Sequence, residues 1–543
     1  MVKLAFEMSC GLCRADKAMS SVAPIFLPDE FNAASYFVDR HIQEGRDDKI
    51  AIECGEVHVT YRQLFERVNQ VGNTLRKLGV RIEERVFLLL LDSPEFAASF
   101  FGAIKIGAVP VPVNTLLKSA DYEYLLNNSR ARVAIVSDSL FASIEAIPRQ
   151  QLRYLETIIV VGGEPRTGTL SFEKLAQTGF VALQAESTGK DDAAFWLYSS
   201  GSTGQPKACV HLQHDMVVSA ERYAKNILNI TDKDRCFSVA KLFFAYGLGN
   251  GLYFPLAVGA TSILLPGPPK PQSVFEVIER YRPTLFFSVP SNYVKLLAHI
   301  AADGREFDLS SVRHAISAGE ALPAAVFHRF KGRFGVEILD AIGSTEALHM
   351  IISNVPCAVR PGSSGKIIPG FEARIVDDNN RPVAQGEIGS LLVKADSTCA
   401  YYWNQHQKTK DTIEGHWIRT GDKYYQDEDG YFWYAGRSDD MLKVSGVWVS
   451  PIEIERALVE HPAVQEAAVV FRKDEDELPK PVACIVTRDG AAGTPELARE
   501  LQEFVLSRLP VFKRPHWVEF LPELPKTATG KIQRFKLRVG VNK

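Results

Sequence analysis

Between Arg85 and Phe334 the chain repeatedly sets a short, almost wholly apolar run beside a segment of helical period. Arg85–Asp92, Ala108–Val113, Val133–Ser137, Thr157–Val161, Thr284–Val289 and Val312–Ser317 are such runs. Pro94–Ile106, Ser119–Asn127, Phe275–Arg280, Ser291–Ile300 and Pro323–Phe334 carry the helical pattern. A strand with no polar alternation is buried on both faces, so this order predicts largely parallel sheets covered by helices on both sides. Beyond about residue 365, Glu372–Asp377, Gly389–Lys394 and Tyr431–Tyr434 read as hairpin strands, with D-D-N-N and D-E-D-G turns. From Asp439 a third texture begins: helices over Ile452–Glu460 and Glu496–Arg508, strands over Ala467–Phe471 and Val482–Thr487.

The expected architecture is therefore α/β. A large N-terminal domain (23–438) holds parallel-rich sheets flanked by helices plus a β-rich subdomain, and a small, mobile α+β domain spans 439–543. Residues 1–22 read as a disordered extension; their Cys10-x-x-Cys13 could be a redox pair or half a zinc site, but no second pair completes it. Eight cysteines in 543 residues, and no signal-peptide pattern, predict a reducing, cytoplasmic setting. Lys and Arg total 62 against 65 Asp and Glu, a net charge of −3, which argues against nucleic acid as the main partner. No apolar run approaches the roughly 18 residues of a membrane-spanning helix.

The chemistry concentrates in a few loops. Tyr198–Lys207, Y-S-S-G-S-T-G-Q-P-K, follows the apolar strand Ala193–Leu197 and precedes a helical pattern near His214. Seven of its ten residues are Gly, Ser, Thr or Lys. Such a loop can turn N–H and hydroxyl donors and one cation onto phosphate oxygens, although it lacks Walker spacing and composition alone also fits a flexible surface connection. Ala341–Glu346 (A-I-G-S-T-E), Thr420–Asp422 (T-G-D), Gly436–Gly446 (G-R-S-D-D-M-L-K-V-S-G) and Pro525–Arg534 (P-K-T-A-T-G-K-I-Q-R) follow in order.

In this order and spacing, the motifs resemble the adenylate-forming acyl-CoA synthetase superfamily over nearly the whole chain from about residue 30. Lys241–Asn250 (K-L-F-F-A-Y-G-L-G-N), Ser317–Pro323 (S-A-G-E-A-L-P) and Gly343–His349 (G-S-T-E-A-L-H) are similar to benzoate-CoA ligases and their hydroxy- and aminobenzoate relatives. Ala347 stands where those enzymes carry Met, which leaves the ring substituent open.

The resemblance implies ATP, Mg²⁺ and coenzyme A as cofactor and co-substrates, an aromatic carboxylate as small-molecule partner, and a homodimer as one assembly. It implies that Ser199, Ser200, Gly201, Ser202, Thr203, Gly204 and Lys207 embrace the β- and γ-phosphates, with Ser344 and Thr345 also at the nucleotide. Thr203 and Glu346 would sit at Mg²⁺, Asp422 at the ribose hydroxyls, and Arg437 at ribose or phosphate. Lys531 would bridge the carboxylate and the α-phosphate during adenylation. Ala245, Tyr246, Gly247, Ala318, Gly319, Ile342, Gly343 and His349 would form the acyl pocket, with His349 turned to the carboxylate end. Asp439 would be the hinge of the C-terminal domain, and Lys443 and Gly446 would swing in for the CoA step. Cys209 reads as packing. The alternatives are a ligase for medium-chain or other carboxylic acids, an enzyme that loads an aryl group onto a carrier protein, and a catalytically silent nucleotide-binding protein.

Overall fold

The computed structural model describes residues 23–163, 166–178, 180–199, 205–301, 304–438, 442–444, 447–474, 479–488, 491–526 and 532–538. The expected N-terminal extension, with Cys10 and Cys13, lies outside them. The apolar runs form two parallel systems. Five strands pair in parallel in the order Val109–Pro112, Arg85–Leu89, Val133–Ser137, Thr157–Val161, Leu170–Ser171. A nine-stranded sheet has a parallel centre in the order Ile338–Gly343, His314–Ser317, Leu285–Ser288, Arg235–Ser238, Thr261–Leu264, Ile50–Cys54. Its outer strands, Val57–Thr60 on one side and Met350–Ser353 on the other, are antiparallel.

Helices from the two systems meet between the sheets. Tyr61–Lys77 starts at a capping box in which the Thr60 hydroxyl accepts from the Gln63 N–H and the Gln63 side chain accepts from the Thr60 N–H. It lies on Pro94–Lys105, whose proline occupies the first helical turn, where no amide donor is needed. The contact is close at Gly102, where a Cβ would stand 2.9 Å from the Val71 Cβ and 3.0 Å from the Val68 carbonyl. At the end of this helix Lys105 is fully buried, its ammonium 2.7 Å from Asp39 and 2.6 Å from the Asn69 side-chain oxygen.

The β-rich subdomain is antiparallel: Glu372–Val376, Gly389–Lys394, Trp417–Gln426 and Phe432–Arg437 pair in that order. Both expected turns are closed by an aspartate that accepts from the backbone ahead of it: Asp377 from Asn379 and Arg381, Asp427 from Asp429 and Tyr431. The C-terminal module pairs Val464–Lys473 with Pro479–Thr487 and adds Trp517–Phe520 in parallel. Helices Pro451–Val459 and Pro495–Leu506 close a core of its own around Ile454, Leu458, Val469, Ile485 and Leu501. It rests on the rest of the chain through the Ser450 hydroxyl, which donates to the Ala435 carbonyl, and Arg456, 2.7 Å from the Gly362 carbonyl.

The Gly/Ser loop follows the strand Ala193–Ser199, and the helix begins at Asp215, next to His214, as expected. Between them Lys207–Leu212 is a further strand, which folds back antiparallel on Ala193–Ser199 and buries its apolar centre.

The Gly102 contact makes a direct test. Gly102→Val should force the two central helices apart at a cost of about 1–3 kcal/mol. Denaturant unfolding would register this as a lower midpoint, whereas an unchanged midpoint would mean that the helices can separate freely.

Candidate active site

The hairpin sets Ser199 opposite Lys207, so the ends of the Gly/Ser/Thr loop are held side by side. The Lys207 ammonium lies 3.1 Å from Glu346 Oε1 and 2.7 Å from the Tyr402 hydroxyl. That hydroxyl is itself 2.7 Å from the same Glu346 oxygen, and Ser199 Oγ reaches it at 3.3 Å. The phenol therefore accepts from Lys207 and donates to Glu346. Burial alone would raise the Glu346 pKa, but the Lys207 charge and the Tyr402 donor outweigh it and hold the carboxyl below its ordinary range. Burial, and then the Glu346 charge, push the Tyr402 phenol far up, so it stays protonated as a donor.

Tyr402 carries no motif and was not anticipated. It arrives on the two-residue strand Tyr401–Tyr402, which adds to the outer edge of the hairpin with Tyr402 opposite Cys209. Cys209 is buried against Cys399 and Tyr402, and burial raises its thiol pKa well above normal, in keeping with a packing role.

A second group assembles on the β-rich subdomain. Asp422 and Arg437 face each other across adjacent strands, with Arg437 Nη1 3.0 Å from Asp422 Oδ1 and 3.1 Å from the Thr420 carbonyl. Gly421, just before Asp422, adopts φ +78°, a left-handed backbone that favours glycine. One cleft is lined by Ile342, Gly343 and Ser344 on one side and by Thr420 and Asp422 on the other. Thr345 follows at the turn that leads to Glu346. Two motifs far apart in sequence thus share a wall.

The AMP-binding enzyme model matches residues 38–403, and the model of the AMP-binding enzyme C-terminal domain matches 453–531. The chain belongs to the AMP-binding enzyme family. It is 47% identical over 516 residues to a benzoate–CoA ligase of Thauera aromatica, covering 95% of this chain and 97% of that one. A 4-hydroxybenzoate–CoA/benzoate–CoA ligase of Rhodopseudomonas palustris is 44% identical, with 94% of each chain covered. Among solved structures, the anthranilate CoA ligase AuaEII in complex with anthranoyl-AMP superposes with a TM-score of 0.91 at 45% identity, covering 94% of this chain and 98% of that one.

The remaining expected residues of this AMP-binding enzyme cluster at the carboxyl ends of the parallel strands, where open α/β sheets bind ligands. Ala318 and Gly319 follow strand His314–Ser317, Ile342 and Gly343 end strand Ile338–Gly343, and Ala245, Tyr246 and Gly247 begin a short helix beside them. The Tyr246 hydroxyl stands 3.1 Å from the Ser288 carbonyl and 3.2 Å from that of Ile316, which ties the helix to the sheet. Gly247 allows a backbone crossing, since a Cβ would lie 2.1 Å from the Lys241 carbonyl. His349 is buried among Phe254, Tyr223, Tyr246 and Tyr253, with ring centroids at 4.4, 5.5, 5.8 and 6.5 Å. Its Nε2 is 3.1 Å from the Asn250 side-chain oxygen, and burial depresses its pKa to about 3, so the ring is neutral near pH 7. Lys443 lies on strand Leu442–Val444, opposite Trp448. Ser200, Gly201, Ser202, Thr203, Gly204, Asp439, Gly446 and Lys531 lie outside the described residues.

On the strand that ends in Ile342 and Gly343, Asp340 is buried opposite Ser317 and accepts from the Leu322 N–H at 3.3 Å. Burial drives its pKa up to about 8, against 3.8 for an unperturbed Asp. Between those values the folded state binds the proton and the unfolded state does not, so stability falls as pH rises through the window. Asp340→Asn should remove this dependence. From about pH 5 to about pH 8 the thermal midpoint of the natural protein should fall relative to that of the variant, then stay level. Parallel curves would mean that Asp340 does not hold its proton.

Proposed function

We propose that this AMP-binding enzyme joins benzoate or a substituted benzoate to coenzyme A through an acyl-adenylate, releasing pyrophosphate and then AMP. The observation that carries the reading is the Lys207–Glu346–Tyr402 cluster, set at the mouth of the Gly/Ser/Thr loop and beside the cleft of Ser344 and Asp422. Benzoate and 4-hydroxybenzoate ligases of similar sequence, and the likeness to an anthranoyl-AMP complex, support an aromatic acid. So does the aromatic setting of Tyr246 and His349.

In the first step an oxygen of the carboxylate attacks the α-phosphorus of ATP and the bond to pyrophosphate breaks. Both reactants are anions, so the site's task is to offset charge and hold the attacking oxygen in line. Lys207 and the loop from Ser199 to Gly204 would take the β- and γ-phosphates, and Asp422 with Arg437 the ribose. Glu346, kept ionised, and Thr203 are hard oxygen donors of the kind Mg²⁺ prefers, and would hold that ion, which offsets phosphate charge when bound. Lys531 would bridge the reacting carboxylate and the α-phosphate. In the second step the CoA thiolate attacks the acyl carbonyl and AMP leaves. A thiol of ordinary pKa near 8.5 is partly ionised at neutrality, so no dedicated base is required. One cleft would serve both steps if the 439–543 domain turns about Asp439 against the 23–438 domain, withdrawing Lys531 and bringing Lys443 and Gly446 in. The reading includes a cytoplasmic location, supported by the free state of all six described cysteines.

The purified protein should convert benzoate, ATP and CoA to benzoyl-CoA, AMP and pyrophosphate, and chelation of Mg²⁺ should stop it. Product analysis that finds ADP and phosphate would overturn the adenylate route. A second test separates the steps. Lys531→Ala should lose benzoate-dependent pyrophosphate formation yet still turn supplied benzoyl-AMP and CoA into benzoyl-CoA; equal losses in both half-reactions would sink the assignment of Lys531 to adenylation.

A further inference from the structure

His211 lies on the hairpin strand Lys207–Leu212, without solvent exposure, its ring stacked on Phe195 at 5.1 Å between centroids. It makes two hydrogen bonds, to different parts of the chain. Nδ1 is 2.8 Å from Asp215 Oδ2, and Nε2 is 2.9 Å from the carbonyl oxygen of Thr345. Each ring nitrogen thus faces an oxygen, one on a side chain and one on the backbone. Asp215 is equally buried, and the oxygen that faces His211 also accepts from the Leu212 N–H at 3.1 Å.

The Thr345 carbonyl belongs to the peptide unit that leads into Glu346. On the far side of Glu346, its own carbonyl accepts from the Cys399 N–H at 2.7 Å. Both peptide planes that flank the Glu346 Cα are therefore clamped, one by the His211 ring and one by the segment that carries Tyr402. We propose that His211, braced by Asp215, is a positioning residue for the adenylation step: it sets the Thr345–Glu346 peptide and so aims the Glu346 carboxylate at Lys207 and at the metal. This rests on the reading of Glu346 as part of the ATP and Mg²⁺ site. His211 touches neither substrate nor metal, and acts only through the backbone it holds.

The two nitrogens can be tested separately, because a Gln amide reaches about as far as Nε2 and an Asn amide about as far as Nδ1. His211→Gln keeps a donor for Thr345 and loses the Asp215 bond; His211→Asn keeps the Asp215 bond and releases Thr345. Benzoate-dependent pyrophosphate formation should fall about 10–100-fold in kcat for His211→Asn, and about threefold or less for His211→Gln, the scale expected of a misplaced catalytic group. Formation of benzoyl-CoA from supplied benzoyl-AMP and CoA should be unchanged in both. Equal losses for the two variants, or equal losses in the two half-reactions, overturn the proposal, since a purely structural role predicts both. If His211→Asn does not fold, Asp215→Asn takes its place: it loosens the brace and should slow adenylation alone, and adenylation at the natural rate overturns the proposal. The natural protein is the control. If it releases no pyrophosphate with any aromatic acid, the proposed reaction fails and the proposal falls with it; if it does and the variants match it, only the clasp fails.

Discussion

A carboxylate withdrawn from water must be met by charge and hydrogen bonds, and Glu346 is met by groups from two separate stretches of chain. Lys207 and Ser199 come from the hairpin, and Tyr402 from a strand almost two hundred residues later. Removing one member of such a nearly enclosed pair typically costs about 3–5 kcal/mol, because its partner is left uncompensated. The requirement fixes the hairpin to the S-T-E turn and the turn to the segment 399–402. The clamps on the backbone around Glu346 extend the same constraint one layer deeper.

Around that cluster the sheets act as a frame. The parallel strands of the nine-stranded sheet all end on one side, and the turns after them carry Ala318, Gly319, Gly343 and Glu346. The antiparallel subdomain contributes Thr420 and Asp422 to the opposite wall, with Arg437 paired to Asp422. Charged groups gather around Glu346 and Asp422. The surroundings of His349 are instead aromatic and uncharged, with the imidazole neutral, and buried Asp340 is protonated at neutral pH. A flat apolar ring and a polyphosphate make opposite demands on dielectric, and the proposed reaction would place them in these two different settings.

Much of this was legible before any coordinates, for local physical reasons. The runs Val133–Ser137, Thr157–Val161 and Gly389–Lys394 are strands over the expected residues, because unbroken apolar or β-branched runs bounded by turn residues have few other fates. The D-D-N-N and D-E-D-G turns close through their own aspartates, as side chains that compete for nearby amides do. The strand Lys207–Leu212 went unread because a six-residue run between a glycine-rich loop and a helix start carries little periodicity. The ten-residue strand Trp417–Gln426 went unread because T-G-D interrupts it like a loop, whereas its pairing on both sides holds it extended.

The chain's sequence by itself determined the α/β class and the family, and it singled out Lys207, Glu346, Asp422 and Arg437 as candidates for the site, since spacing, apolar period and ordered motifs are properties of neighbours along the chain. Tertiary structure alone decided that Tyr402 completes the carboxylate's shell, that His211 grips the peptide before Glu346, and that His349 is neutral. Each of those depends on which distant atoms share a buried volume, and burial, not residue type, sets whether a hydrogen bond is obligatory and whether a charge can exist there.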